Sequence, residues 1–489
     1  MLITQTLPKV APKAAVAPSA GADGVGDSIF PKMGNGGYLA DHYQVDLDVD
    51  VAKNNFNKAR VTMQAQTTQD LSQFNMDFRG FNISKITVNG EEAKYKRADQ
   101  ELSIIPGQPL QANQSFSVSV EYSGKPVPFH SEAAPVTIGW VGFARGTYVV
   151  SEPDGTPSWM PCNDHPSNKA SYDFNITVDK PYVVAANGIL QGVDDAGAKS
   201  TYHFSAKDKM ASYLTTVQIG NYVERKEVSP GGIPLRHYFP KDIADKAAQD
   251  FGRTGEMIDH LSSLFGPYPF ETYGVIVMDT HIGGAALETQ TLPLFEKGMV
   301  TGDRSLEYVY AHELTHQWFG DSVSVKDWKD IWLNEGFATY GEWLWDEKQH
   351  GVGATERTAQ QTHKQLEGWG VTQSLAAVSE AKGTADAGIK EAGADIGRVI
   401  GAPTAPEMFG NEVYQRGALT LHALRHTLGN ANFFQTIQTY AAEFKDKNAS
   451  TEDFQGVAEK VSGQQLGEFF HEWVYSDKLP PLSAGPVPA

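Results

Sequence analysis

His312-Glu313-Leu314-Thr315-His316, followed after eighteen intervening residues by Glu335, constrains this chain more than any other stretch. Two histidines four apart on a helix lie on one face, one turn above the other. Both imidazoles can then reach one small ion. A third ligand from another element leaves the fourth position of a tetrahedral zinc open, which is the pattern of a catalytic site rather than a structural one. Glu313 stands about 100° round the helix from His312. That places its carboxylate beside a water at the site, as the base that this motif assigns to its glutamate. The chain therefore has to fold so that the element carrying Glu335 lies against the helix carrying the histidines.

The flanking sequence supports two such helices. Leu306 to Phe319 holds no proline or glycine; Ser305 and Asp303 are suited to its N-cap and Gly320 to its stop. Tyr308, His312, Thr315 and His316 share a face. A second helix is predicted from Asn334 to Gln349, with Phe337, Tyr340, Gly341, Leu344 and Trp345 as its stripe and Gly351 at its end. Glu335 falls in its first turn, and Glu342 lies two turns along the same face.

Other parts of the chain set the frame. With 489 residues it has room for two or three domains with sizeable cores. Its net charge of −19 argues against nucleic-acid binding, which needs a basic face. No apolar run approaches the 18 residues of a membrane span, so no membrane partner is expected. A single cysteine, Cys162, excludes an internal disulfide and a cysteine-based zinc cluster, and is read as a small buried residue.

Residues 1–35 are rich in Ala, Pro and Gly and lack the apolar core of a secretory signal, so a disordered leader is expected. The compartment stays open between the cytoplasm and export with a signal already removed. From about residue 40 the pattern has period two. Tyr43, Val45, Leu47, Val49 and Val51 alternate with polar residues, as do Phe116 to Tyr122 and Tyr172 to Val178, with Asn89-Gly90, Ser123-Gly124 and Asn187-Gly188 as turn signals. These are half-buried strands of a β-sandwich-like domain. Past Pro230, strands at Ile233–Phe239 and Gly274–Met278 are interleaved with helical patterns, and from Ser305 onward helix dominates. Ala376–Gly401 reads as a helix and a long loop. The expected class is α+β, with a β domain at 36–228, a mostly helical catalytic domain at 229–482 and a short tail at 483–489.

The zinc motif and its neighbours, His316-Gln317-Trp318-Phe319-Gly320 and Trp332-Leu333-Asn334-Glu335-Gly336-Phe337-Ala338, resemble the gluzincin zinc peptidases of the aminopeptidase N type, which include leukotriene hydrolase-like enzymes. Pro161-Cys162-Asn163-Asp164, Tyr414-Gln415-Arg416-Gly417 and Phe469-Phe470-His471-Glu472-Trp473 extend the resemblance over roughly residues 40–480. It implies an N-terminal saddle-like β domain, a thermolysin-like catalytic domain, one zinc per chain and peptide substrates with a free N-terminus. The chain stops where that family's catalytic domain normally ends, so a short form without C-terminal domains is expected, as a monomer.

The resemblance also carries roles. Gly283-Gly284-Ala285-Ala286-Leu287-Glu288-Thr289 is similar to the family's Gly-x-Met-Glu-Asn segment, whose main chain pairs with the substrate and whose glutamate binds the free α-amine. Leu287 replaces Met, Thr289 replaces Asn and Ala285 replaces Gly. A carboxylate at the blind end of a cleft pairs with an ammonium and excludes a continuing peptide. Glu152 matches a second amine-binding position ahead of Pro161-Cys162. Tyr414, before Arg416-Gly417, matches the tyrosine that donates to the tetrahedral oxyanion, an interaction realised where charge develops. His165, His281, His422 and His426 are read as structural or solvent-facing, and Trp159, Asp164 and Lys169 as structural. Two other readings stay open: a zinc endopeptidase or other hydrolase on this scaffold, and a non-catalytic interaction protein.

Overall fold

Alternating apolar residues bury one face of each N-terminal strand, and the strands answer by pairing into sheets. In the computed structural model, which describes residues 17–380, 399–483, 485 and 487, Tyr38–Asp50 pairs antiparallel with Asn55–Thr67 and parallel with Ala170–Asp179. These form the centre of an eight-stranded sheet that also holds Ser115–Gly124. Along Tyr38–Asp50, Tyr43, Val45, Leu47 and Val49 are buried while the residues between them are exposed or half-buried. A four-stranded and a five-stranded sheet complete the domain. Tyr38, Phe74 and Phe116 meet edge-on between two of the sheets.

The second domain opens with a five-stranded sheet whose order is Tyr222–Val228, Pro234–Pro240, Ile276–Met278, Leu294–Glu296 and Ala286–Leu287. Helices follow: α1 (Ala244–Asp250), α2 (Thr254–Phe265), α3 (Glu307–Thr315), α4 (Trp332–His350), α5 (Gly353–Glu380), α6 (Asn411–Glu443, broken at Gly429), α7 (Thr451–Ser462) and α8 (Gly467–Phe470). The α+β class is as expected. The expected boundary at 228/229 cuts a hairpin, because Tyr222–Val228 pairs along its length with Pro234–Pro240. We place it before Tyr222.

Part of the expected leader is built into the fold. Ser19–Ala20 adds to the edge of the four-stranded sheet. Asp27 is buried, accepts the backbone N–H of Trp328 at 2.7 Å and lies 3.1 Å from Nε2 of the buried His165. Ala/Pro/Gly composition hid a carboxylate that joins the two domains; residues 1–16 lie outside the described set, as does 381–398 of the predicted helix and loop at 376–401. Other links across the junction are Lys169 Nζ donating to the carbonyls of Asp321 and Ser322 at 2.6 and 2.9 Å, and Asn187 Nδ2 donating to that of Gln290 at 2.8 Å. Among the described residues no helix is long and apolar enough to cross a membrane.

Glycines set how closely α4 and α6 approach. A Cβ on Gly417 would stand 2.7 Å from Gly336 Cα, backbone against backbone. Neither side can yield by turning a side chain. Gly417→Ala is therefore expected to destabilise the protein by about 1–3 kcal/mol, the cost of overpacking a tight contact, and to lower turnover because Tyr414 rides on the same turn. Urea unfolding beside steady-state kinetics checks this. An unchanged midpoint would show that the two helices part freely.

Candidate active site

α3 and α4 lie side by side, and their facing polar residues form the site. His312 and Glu313 sit in the last turns of α3, and His316 is its C-terminal cap. The helix is shorter than the predicted 306–319. Leu306 is the N-cap and makes no side-chain cap; Asp303 instead accepts the backbone N–H of Ser305 in a turn before the helix. Beyond Thr315 the chain runs through hydrogen-bonded turns, and Gly320 N–H donates to the carbonyl of Val323. These turns matter, because the Phe319 carbonyl accepts from His316 Nδ1 at 3.0 Å. A carbonyl can only accept, so Nδ1 carries the proton and Nε2 is left as a free ligand. His312 is held likewise, its Nδ1 2.7 Å from the carboxylate of Glu342 on α4. Orienting partners of this kind accompany most metal-binding histidines.

Glu335 Oε2 lies 3.3 Å from His312 Nε2 and 3.4 Å from His316 Nε2. Two ligands about 2.0–2.1 Å from a tetrahedral zinc stand about 3.3 Å apart. The three donors, all within 4.8 Å of one another and all buried, fit zinc in both type and spacing. Burial opposes ionisation of Glu335, yet His316 and His312 hold it down at about 2. Burial pushes Glu313 up to about 8 against the pull of the same histidines, while Glu288 and Glu335 add to the rise. A dication beside Glu313 would draw it back toward the ionised form.

Glu288 completes the cluster, with Glu288, Glu313 and His316 offering ligand atoms within 4.8 Å of one another. It is buried and its Oε1 has no hydrogen-bond partner. Glu152, from the first domain, is buried too and has an unpartnered Oε1. Burial first, and then Glu288, push Glu152 well above the usual carboxylate range. Burial raises the proton affinity of both carboxylates, and Glu288 raises that of Glu152 further; a desolvated pair of this kind favours a cation.

The segment before Glu288 lies at the sheet edge, with Ala286 and Leu287 paired antiparallel to Phe295 and Leu294 on one side. Gly283 and Gly284 have positive φ, 104° and 86°, and the Ile282 and Gly284 N–H groups both donate to Glu296 Oε2 at 2.8 Å. Thr289 does not aim its hydroxyl into the site. It donates to the Leu292 carbonyl at 2.6 Å and closes a turn. Gln317, next to His316, clamps this loop: Nε2 donates to the Glu288 carbonyl at 3.0 Å and Oε1 accepts from Thr291 N–H at 2.8 Å.

Tyr414 comes from the first turn of α6, which begins at Asn411. Its ring lies nearly parallel to that of His312, centroids 5.9 Å apart. Burial, then Glu335 and Glu152, push its hydroxyl well above the ordinary tyrosine range, so it stays a proton donor. Arg416 points away, donating to the carbonyls of Trp473, Glu472 and Lys478 and so tying α6 to the C-terminal turn. The tasks of Glu342 and Gln317 emerge only in the fold; their signals in the sequence are a seven-residue step from Glu335 and a place beside His316.

Family comparison fits this geometry. The Peptidase family M1 domain matches residues 250–473 and the Peptidase M1 N-terminal domain matches residues 39–214. The chain belongs to peptidase family M1. Among relatives of this M1 chain, probable aminopeptidase 2 of Sulfurisphaera tokodaii is 26% identical over 464 residues, 90% of this chain and 54% of the relative. Leucyl aminopeptidase of Saccharolobus solfataricus is 26% identical over 426 residues, 83% of this chain and 50% of the relative. The M1 chain thus spans about half the length of such curated relatives. An M1 zinc metallopeptidase of Deinococcus radiodurans, solved as a Glu-to-Ala variant bound to a Tyr-Ser-Ala substrate, superposes with a TM-score of 0.81 at 29% identity, over 94% of this chain and 99% of that one.

Proposed function

We propose that this M1 chain is a zinc-dependent aminopeptidase that removes the first residue of peptides with a free N-terminus. The observation that carries this reading is a pair of buried carboxylates, Glu288 and Glu152, each with an unpartnered Oε1: Glu288 clusters with Glu313 and His316, and Glu335 of the donor set acts electrostatically on both. Zinc held by those three residues would supply a Lewis acid for water and the scissile carbonyl. Glu313 takes a proton from the attacking water and passes it to the leaving amine. The Tyr414 hydroxyl donates to the oxyanion of the tetrahedral intermediate. Ala285 and Ala286 offer the unpaired side of an edge strand, to which an extended substrate adds, with Gly283 and Gly284 giving its approach room. Glu288 and Glu152 neutralise the substrate's ammonium, so only the first peptide bond reaches the base.

The test compares free and N-acetylated substrates. Glu288→Ala is expected to raise KM for free-amine substrates by about 2–5 kcal/mol, at least about 30-fold, because a desolvated ammonium loses its carboxylate partner. Glu152→Ala should show the same signature more weakly. The double variant should be non-additive, since both groups bind one charge. N-acetylated peptides should be poor substrates for the wild type and no worse for either variant. Efficient cleavage of acetylated peptides by the wild type would favour an endopeptidase instead.

A further inference from the structure

A second cluster repeats the pattern of the first. His422 and His426 are four apart on α6, and Glu356 of α5 reaches across to both. Its Oε2 lies 3.3 Å from His422 Nε2 and 3.1 Å from His426 Nε2. At the first site the corresponding separations are 3.3 and 3.4 Å. Ring geometry matches as well: centroids 4.8 Å apart at 77° for His422 and His426, and 4.8 Å at 74° for His312 and His316. In both clusters one donor atom from each residue lies within 4.8 Å of the others.

The surroundings hold each of these groups in place. Gln360 Nε2 donates to Glu356 Oε1 at 2.7 Å, which leaves Oε2 for the two imidazoles. On its far side, His422 Nδ1 lies 3.4 Å from the Tyr340 hydroxyl. A hydroxyl both donates and accepts, so it serves either tautomer of the ring, including the one that frees Nε2 for a metal. Arg425 also reaches Tyr340 and forms a bidentate pair with Glu347 at 2.9 and 3.1 Å, anchoring that network to α4. His422 is buried, while His426 and Glu356 are part-exposed, so an ion can enter from solvent. Along α6 the cluster lies about 12 Å beyond Tyr414, eight residues at the rise of a helix.

We propose that Glu356, His422 and His426 form a second metal site, separate from the catalytic one, for a divalent transition ion of zinc type. Two imidazoles and one carboxylate suit zinc by donor type, and donors about 3.3 Å apart suit its tetrahedral radius. An ion there would tie α5 to α6 and would not touch the reacting groups.

Full-length protein dialysed against a zinc buffer, with bound zinc counted by elemental analysis, tests this directly. The wild type should hold two equivalents, and both His426→Ala and Glu356→Gln should hold one, with peptidase turnover unchanged. The Glu356 side chain is part-exposed and Glu356→Gln keeps its shape, so that variant reads the loss of the ligand without a change in packing. One equivalent in the wild type would overturn the proposal. So would two in both variants, which would mean adventitious surface binding, or none in both, which would make the cluster a support of the first site.

Discussion

Glu313→Gln should retain its zinc and its fold and lose at least about 100-fold in turnover, within the range that general-base removal costs. The amide has the same shape and can still accept a hydrogen bond from water, but it cannot take the proton. Glu313 is no part of the His312–His316–Glu335 donor set, so metal content should not change. Substrate affinity should change little, because Glu288 and Glu152, the proposed amine-binding pair, are untouched. Elemental analysis, circular dichroism and steady-state kinetics on one preparation separate these effects. Loss of zinc, or activity near that of the wild type, would remove Glu313 from the role of base.

Tyr414→Phe should lower kcat by about 100- to 1000-fold with little change in KM, the size associated with one oxyanion donor. The ring would keep its place beside His312, since their contact is between stacked rings whose centroids are 5.9 Å apart. Only the hydroxyl is lost. In the proposed role its bond forms as charge develops, so the loss would fall on the transition state rather than on substrate binding. A loss confined to KM would make Tyr414 a ground-state contact.

Much of the architecture was legible because it rests on short-range rules. Alternation at Tyr43 to Val49 required a half-buried strand, and that strand lies near the centre of the large sheet. Helix periodicity with Gly351 at its end placed α4 to within two residues at either terminus. The spacing of His312 and His316 fixed a shared face before any tertiary contact was known. Where the structure departs from these rules, a distant partner decides. The ends of α3 follow its packing and the turn at Asp303, not the propensity of Ser305 or Gly320. The described part of the expected leader is held by Asp27, whose partners His165 and Trp328 lie far along the chain.

His422 and His426 show the same limit. Their four-residue step was visible in the sequence, but Glu356 stands 66 residues before His422 and no motif marks it. Sequence alone determined the donor types, their order and the helix face on which the first pair sits, because residues four apart on a helix are neighbours whatever surrounds them. Tertiary structure decided the rest: that Glu335 closes against both histidines, that Glu342 and the Phe319 carbonyl set their tautomers, that Thr289 closes a turn, and that Glu288 acts on the carboxyl of Glu152 from another domain. Each of these depends on how whole elements pack, and packing joins residues by shape and burial rather than by their distance along the chain.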